Sequence, residues 1–370
     1  GAPLHQPDRR KHSLNDLRAG MTSMPESGAD HATPDTPVAE LTPDRVLDTL
    51  QDFGVLGDGR LLQLNSYENR VFQVGLDDGG MVVAKFYRPG RWTTDQILEE
   101  HDFAHELLAA EVPVVAPITL TCSDASRLRG VPPTLGCDGD IRVAVCPRKG
   151  GRGPELEDPE VLTWIGRFLG RLHSVGSRRA FSHRTTLGVE QTGRQAQRWL
   201  LEHDIIPPDQ IRPWQQACDQ ALDLTQAAFD HVDGLTLRRL HGDCHIGNIL
   251  WTPDGPHFVD LDDACMGPAV QDFWMLLSGD PQQRQAQLYA LLDGYESIID
   301  FDWRELRLIE ALRALRMVHH SAWLARRWHD PAFPAAFPWF GNGTYWQQQT
   351  DLLRQQIELM QEQAQDTPWP

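Results

Sequence analysis

The chain has 370 residues, 41% of them hydrophobic, and a formal net charge of -18. That length exceeds what one hydrophobic core ordinarily organises, so two lobes are expected. So acidic a surface repels nucleic acid and anionic lipid, and no apolar run reaches the roughly 18 residues of a spanning helix, which excludes a nucleic-acid or membrane partner.

Residues 1–40 are rich in Pro, Ser, Asp, Gly and Thr and poor in core formers, so they read as a disordered tail. Next, "LTPDRVLDTLQDFGV" offers Thr42 as a cap and Pro43 as the first helical residue. In "RLLQLNSYENRVFQVGLDDGGMVVAKFYRP" two β-prone runs flank "DDGG". That hairpin pattern puts Lys85 in the middle of a strand. "TTDQILEEHDFAHELLAAEV" has helical spacing, with Ile97, Leu98, Phe103, Leu107 and Leu108 as its buried face. Residues 121–139 read as a loop, "DIRVAVCP" as a strand and "RKGGRGPE" as a linker. The pattern divides the chain into a small lobe over 41–148 and a second lobe over 149–370.

The second lobe is largely helical. "PEVLTWIGRFLGRLHSVG", the segment "WRELRLIEALRALRMVHHSAWLARRW" from Trp303, and "TYWQQQTDLLRQQIELMQEQA" all carry apolar stripes. Among them lies "RLHGDCHIGNILWTPDGPHFVDLDDA", residues 239–264, which reads as a loop, a strand "NILW", a turn and a strand "HFVDL". Six cysteines, at 122, 137, 146, 218, 244 and 265, form no Cys-x-x-Cys pair. They read as free thiols in a reducing compartment, and the protein is expected to be a cytoplasmic monomer.

Phosphoryl transfer needs a positioned acceptor, metal ions on the phosphates and a cation on the phosphates left behind. In protein kinases an Asp precedes a metal-binding Asn by five residues, a later Asp binds metal, and a strand Lys meets the phosphates. Here Asp243, Asn248, Asp260 and Lys85 stand in those relations. Asp243 can align an incoming hydroxyl. Asn248 and Asp260 give two oxygen ligands, which suits magnesium with its retained waters and phosphate oxygens. A mid-strand Lys85 needs a counter-ion. Glu100, three before Phe103 and seven before Leu107, is preferred over Glu99. His241 reads as a structural hydrogen-bonding residue, and His245 is left open. His319, His320, Asp262 and Asp263 are given no chemistry, and no base is placed to make Cys244 a nucleophile.

The stretch "HGDCHIGNIL…FVDLDDA" resembles the signature of the aminoglycoside phosphotransferase and choline kinase superfamily. "LNSYENRVFQV", "KFYRPGRW", "EEHDF" and "GPAVQDFWMLLSGD" resemble, more closely, the bacterial stress response kinase A family, over most of 41–350. The resemblance implies an α+β, bilobal protein-kinase-like fold with ATP and magnesium between an antiparallel N-lobe and a helical C-lobe. It implies Asp243 as the catalytic aspartate, Asn248 and Asp260 as the metal pair, Lys85 as the phosphate anchor and Glu100 as its partner. It also implies an autophosphorylating serine/threonine protein kinase of stress response, with a Ser- or Thr-bearing protein as partner. The usual glycine-rich loop is absent. "LNSYEN" stands in its place, making Ser66 and Asn69 the candidates for phosphate contact. A small-molecule kinase for an amino alcohol, sugar or aminoglycoside is the alternative enzyme, and a nucleotide-binding pseudokinase scaffold the alternative of another class.

Overall fold

The computed structural model describes residues 41–122, 124, 128–129 and 133–365. The tail expected over 1–40 and part of the 121–139 loop lie outside the described residues. Helix α1 (Pro43–Asp52) begins as its sequence requires, with the Thr42 hydroxyl accepting from Arg45 N at 3.2 Å and proline in the first turn. It leads into β1 (Gly57–Leu64), β2 (Arg70–Leu76) and β3 (Met81–Phe86). Helix α2 (Thr94–Ala109) follows, then β4 (Leu128–Arg129), β5 (Leu135–Asp138) and β6 (Ile141–Pro147). These strands make one antiparallel sheet in the order β1-β2-β3-β6-β5-β4.

Strand periodicity decides where Lys85 goes. Val82, Ala84 and Phe86 of β3 enter a core with Val46, Leu50, Phe72, Val74, Val143 and Val145. Lys85, at the intervening phase, faces the other side of the sheet, towards α2 and the second lobe. Helix α2 starts on a capping box between Thr93 and Gln96. Ile97, Phe103 and Leu107 are buried as the spacing predicts; Leu98 is half-buried, and Leu108 is exposed because it falls on the solvent edge of the stripe.

The second lobe begins with α3 (Pro159–Gly176), a π-helical turn (Val189–Arg194), α4 (Gln195–Glu202) and α5 (Pro208–Asp230). Its strands are β7 (Arg238–Leu240), β8 (Ile249–Thr252), β9 (Gly255–Phe258) and β10 (Cys265–Gly267). Helices α6 (Gln271–Trp274), α7 (Pro281–Glu296), α8 (Ile309–Arg326), α9 (Ala332–Ala336) and α10 (Tyr345–Gln365) complete it. Glycines let α3 and α7 touch backbone to backbone. A Cβ on Gly166 would sit 1.9 Å from Leu291 O, and one on Gly294 would sit 1.9 Å from Thr163 O.

Three local expectations change. The stretch 121–139, read as a loop, contributes β4 and β5 to the sheet, paired to each other and, through β5, to β6. The strand read in "HFVDL" stops at Phe258, because Asp260 takes a left-handed backbone (φ 59°) that no strand accommodates. The helix read from Trp303 opens as 3₁₀ over Trp303–Leu308 and becomes α-helical only at Ile309. Among the described residues no helix is long and apolar enough to cross a membrane.

Candidate active site

The loop after β7 is built to hold one carboxylate. Gly242 has φ +87°, and a Cβ there would lie 2.1 Å from Asp263 O, so the chain turns only through glycine. Fully buried Asp272 on α6 grips this turn, accepting from His241 N at 3.0 Å and Gly242 N at 2.9 Å. Asp272 also meets His173 Nε2 at 2.8 Å, and Tyr295 and Arg238 continue the chain (His173 Nδ1 to Tyr295 OH 2.8 Å, Arg238 Nη1 to Tyr295 OH 3.0 Å). Burial pushes His173 below its ordinary pKa against the pull of Asp272. His241 is structural, as expected. Its Nδ1 accepts from Asp243 N at 3.3 Å and its Nε2 donates to Val259 O at 2.8 Å.

Asp243 emerges from this turn almost wholly buried, 2% exposed. Its Oδ1 lies 3.2 Å from Arg316 Nη1 of α8, and its Oδ2 lies 3.3 Å from His245 Nε2. Burial raises its pKa, but Arg316 and His245 outweigh it and bring it down to about 2. Asn248 donates from Nδ2 to Asp243 O at 2.9 Å, which leaves its carbonyl oxygen as the end suited to a cation. Val259 N donates to Asn248 O at 3.0 Å, so the segment carrying Asp260 rests on the segment carrying Asn248.

Lys85 Nζ approaches from the small lobe to 3.5 Å from Asp260 Oδ1 and 3.8 Å from Asp262 Oδ1. Burial lowers its pKa, but Asp262 and Asp260 raise it well above the usual lysine value, so the ammonium is charged. The Asp260 side chain is 49% exposed and so accessible to a cation. Among the described residues no three His, Cys, Asp or Glu side chains converge into a metal cluster. The two-oxygen set of Asn248 and Asp260 fits a hard ion that keeps its waters and borrows phosphate oxygens.

The two glutamates of α2 divide as follows. Glu99 accepts from His183 N at 3.0 Å, anchoring the loop after α3. Glu100 is buried, its pKa raised by burial against the pull of Lys85, and takes a hydrogen bond from Tyr87 OH at 3.3 Å. It acts on Lys85 through its field, while the direct ion pairs of the ammonium go to Asp260 and Asp262. In the "LNSYEN" turn Ser66 is half-buried. Asn69 bridges the lobes, its Oδ1 accepting from Arg88 N at 3.2 Å and its Nδ2 donating to Asp262 Oδ2 at 3.0 Å.

Sequence reasoning missed a chain of buried charges. Asp262 and Asp263 are not solvated: Arg91 reaches them at 2.5 and 2.6 Å. Glu68 lies between Arg327 (2.8 Å), Arg88 (3.4 Å) and Arg91 (3.6 Å) and accepts from Trp323 Nε1 at 2.6 Å. Burial raises its pKa, but the three guanidiniums, Arg327 first, lower it to about 2. Arg316 was missed as well. The signal that could have found them is charge inside otherwise apolar stretches: Arg316 between Leu315 and Met317, and Arg91 beside Trp92.

The chain matches the Phosphotransferase enzyme family over residues 60–309. It is 43% identical over 322 residues, 87% of its length and 94% of the relative, to "Stress response kinase A" of Escherichia coli (strain K12). It is equally similar, over the same shares, to "Serine/threonine protein kinase RdoA" of Salmonella typhimurium. Among solved structures it is similar to amicoumacin kinase hAmiN in complex with AMP-PNP and Ca2+ (TM-score 0.66, 17% identity, 88% of this chain and 95% of that one). It is also similar to a microcompartment-associated aminopropanol kinase (TM-score 0.63, 18% identity, 87% and 97%). A third similar structure is spectinomycin phosphotransferase with ADP and its antibiotic (TM-score 0.58, 12% identity, 90% and 100%).

These structures correct one expectation. The partner expected from the sequence was a protein bearing Ser or Thr. The structures that share the fold are named for small acceptors: an antibiotic, an amino alcohol and a second antibiotic.

Proposed function

Since the chain belongs to the Phosphotransferase enzyme family, we propose that it transfers the γ-phosphoryl group of ATP to a hydroxyl of a small molecule, with magnesium as the divalent ion. Asp243 accepts a hydrogen bond from the incoming hydroxyl and aligns its oxygen. Held anionic by Arg316, it is competent to receive the hydroxyl proton as the acceptor oxygen–phosphorus bond forms and the bond from the γ-phosphorus to the bridging oxygen breaks, releasing ADP. Asn248 and Asp260 hold the metal, which neutralises phosphate charge when bound. Lys85 holds the phosphates of the nucleotide as a point charge. Ser66 and Asn69 line the turn that covers them, and Glu100 adds only its field to that of the carboxylates beside Lys85. The nucleotide side of the cleft comes from residues 41–148 and the acceptor side from 149 onward. The wording "stress response" in the relatives' names supports a role under stress.

One observation carries this reading: Lys85 Nζ stands 3.5 Å from Asp260 Oδ1, although the two residues are far apart in sequence and belong to different lobes. The test is ATP labelled at the γ-phosphate, magnesium and a panel of amino alcohols, sugars and aminoglycosides, with wild type beside Asp243→Asn. Label should pass to a small molecule with wild type alone. Label found only in protein, or transfer that survives Asp243→Asn, would overturn it.

A further inference from the structure

We infer that Asp262, clamped by Arg91 and Asn69, is the counter-ion that positions Lys85, rather than a carboxylate of α2. Three observations converge. Lys85 Nζ has Asp260 and Asp262 within 4 Å, whereas Glu100 is engaged by Tyr87 OH and Glu99 by the backbone of the loop after α3. Asp262 is sealed, its side chain 5% exposed against 49% for Asp260. Its two oxygens are divided. Oδ2 takes Arg91 Nη1 at 2.5 Å and Asn69 Nδ2 at 3.0 Å, while Oδ1 has no hydrogen-bond partner among the described residues and lies towards the ammonium.

The backbone of Asp262 is fixed too. Arg184 donates from Nη2 to Asp262 O at 2.5 Å, from Nε to Ala264 O at 2.7 Å and from Nη1 to Gln96 O at 3.0 Å. One guanidinium therefore ties the segment bearing Asp262 to the first turn of α2. Asp260, accessible and unsealed, is free to give its carboxylate to a cation, while Asp262 remains with Lys85. The clamp continues from Arg91 to Glu68 and from Glu68 to Arg327, so the lysine's counter-ion is part of the contact between the lobes.

The inference uses the nucleotide site proposed above only for one arm of its test. In the first arm, unfolding by denaturant is measured through double-mutant cycles of Lys85→Met with Asp262→Asn and of Lys85→Met with Glu100→Gln. Unfolding constants should be non-additive by at least about 5-fold for the Asp262 cycle and by no more than about 2-fold for the Glu100 cycle. Should Asp262→Asn fail to fold, Asn69→Ala, which loosens the same carboxylate, replaces it, with coupling of the same sign. In the second arm, the affinity of wild type and Asp262→Asn for AMP-PNP with magnesium is compared with the affinity for adenosine. AMP-PNP should weaken about 10-fold while adenosine moves less than about 2-fold, because only the former has phosphates for Lys85 to hold. Stronger coupling to Glu100, additivity at Asp262, or equal loss of both ligands would overturn the inference. Wild type that binds neither ligand would overturn the nucleotide site, and the first arm would still decide the counter-ion.

Discussion

Glu68→Gln tests whether buried charge holds the lobes together. The glutamate is buried and meets Arg327 at 2.8 Å, Arg88 at 3.4 Å, Arg91 at 3.6 Å and the Trp323 indole at 2.6 Å. Glutamine keeps the shape and the indole hydrogen bond but removes the charge. Two routes give the size of the loss. Lowering the carboxyl from 4.5 to about 2 corresponds to roughly 3 kcal/mol at neutral pH. Removing one partner of a buried ion pair costs about 3–5 kcal/mol. The agreement sets the expectation at about 3 kcal/mol, or about 6 °C in melting temperature. The sign with pH follows from a depressed carboxylate. Its stabilisation is complete above the unfolded value of 4.5 and is lost as pH falls towards about 2. The gap between wild type and Glu68→Gln, measured by urea unfolding at pH 7 and again at pH 3, should therefore shrink to under half. A gap below about 1 kcal/mol at pH 7, or one that is the same at both pH values, would refute the reasoning.

Asp243→Asn should cut turnover by about 10³-fold or more while AMP-PNP affinity stays within about 3-fold, as read by steady-state rates and calorimetry. Because Arg316 and His245 hold Asp243 down to about 2, turnover should show no inflection from this carboxylate between pH 5 and 8. Arg316→Met should move that limb upward into the measurable acid range. Gly242→Ala forces a Cβ to 2.1 Å from Asp263 O at φ +87°, so it should abolish turnover even where circular dichroism shows a folded chain. Gly166→Ala, whose Cβ would meet Leu291 O at 1.9 Å, should lower stability by about 2–4 kcal/mol in denaturant titration, with activity per folded molecule preserved.

What could be read from the sequence follows the range of the interactions involved. The β3 lysine was legible because strand alternation is local: Val82, Ala84 and Phe86 fix one face and leave Lys85 on the other. The Asp243–Asn248 spacing was legible because one short turn carries both, and Thr42 was legible as a cap because a cap and its helix are adjacent. Asp260 is legible as an oxygen donor from its spacing, but its left-handed backbone is not, since nothing in "HFVDL" marks where the strand must break. Arg91, Glu68 and Arg316 were illegible for the opposite reason. Each is an ordinary surface residue type, and it becomes a core residue only through a partner 70 or more positions away, as with Arg316 and Asp243 (73), Arg91 and Asp262 (171) or Arg327 and Glu68 (259).

Those long-range arginines follow from the chemistry the loop carries. A site that gathers Asp243, Asp260, Asp262 and Asp263 within one short loop system accumulates negative charge before any phosphate arrives, and buried carboxylates so close together would bind protons instead of staying ionised. Lys85 alone cannot offset four of them. The remaining cations must come from elements that reach the loop from outside: Arg316 from α8 for Asp243, and Arg91 from the small lobe for Asp262 and Asp263. The carboxylate left without such a seal is Asp260, whose side chain is therefore accessible from outside. A carboxylate cluster therefore predicts distant arginines: the "DLDDA" stretch demands guanidinium partners, and arginines set among apolar or aromatic neighbours, as Arg91 and Arg316 are, have the sequence surroundings that burial of such a partner requires.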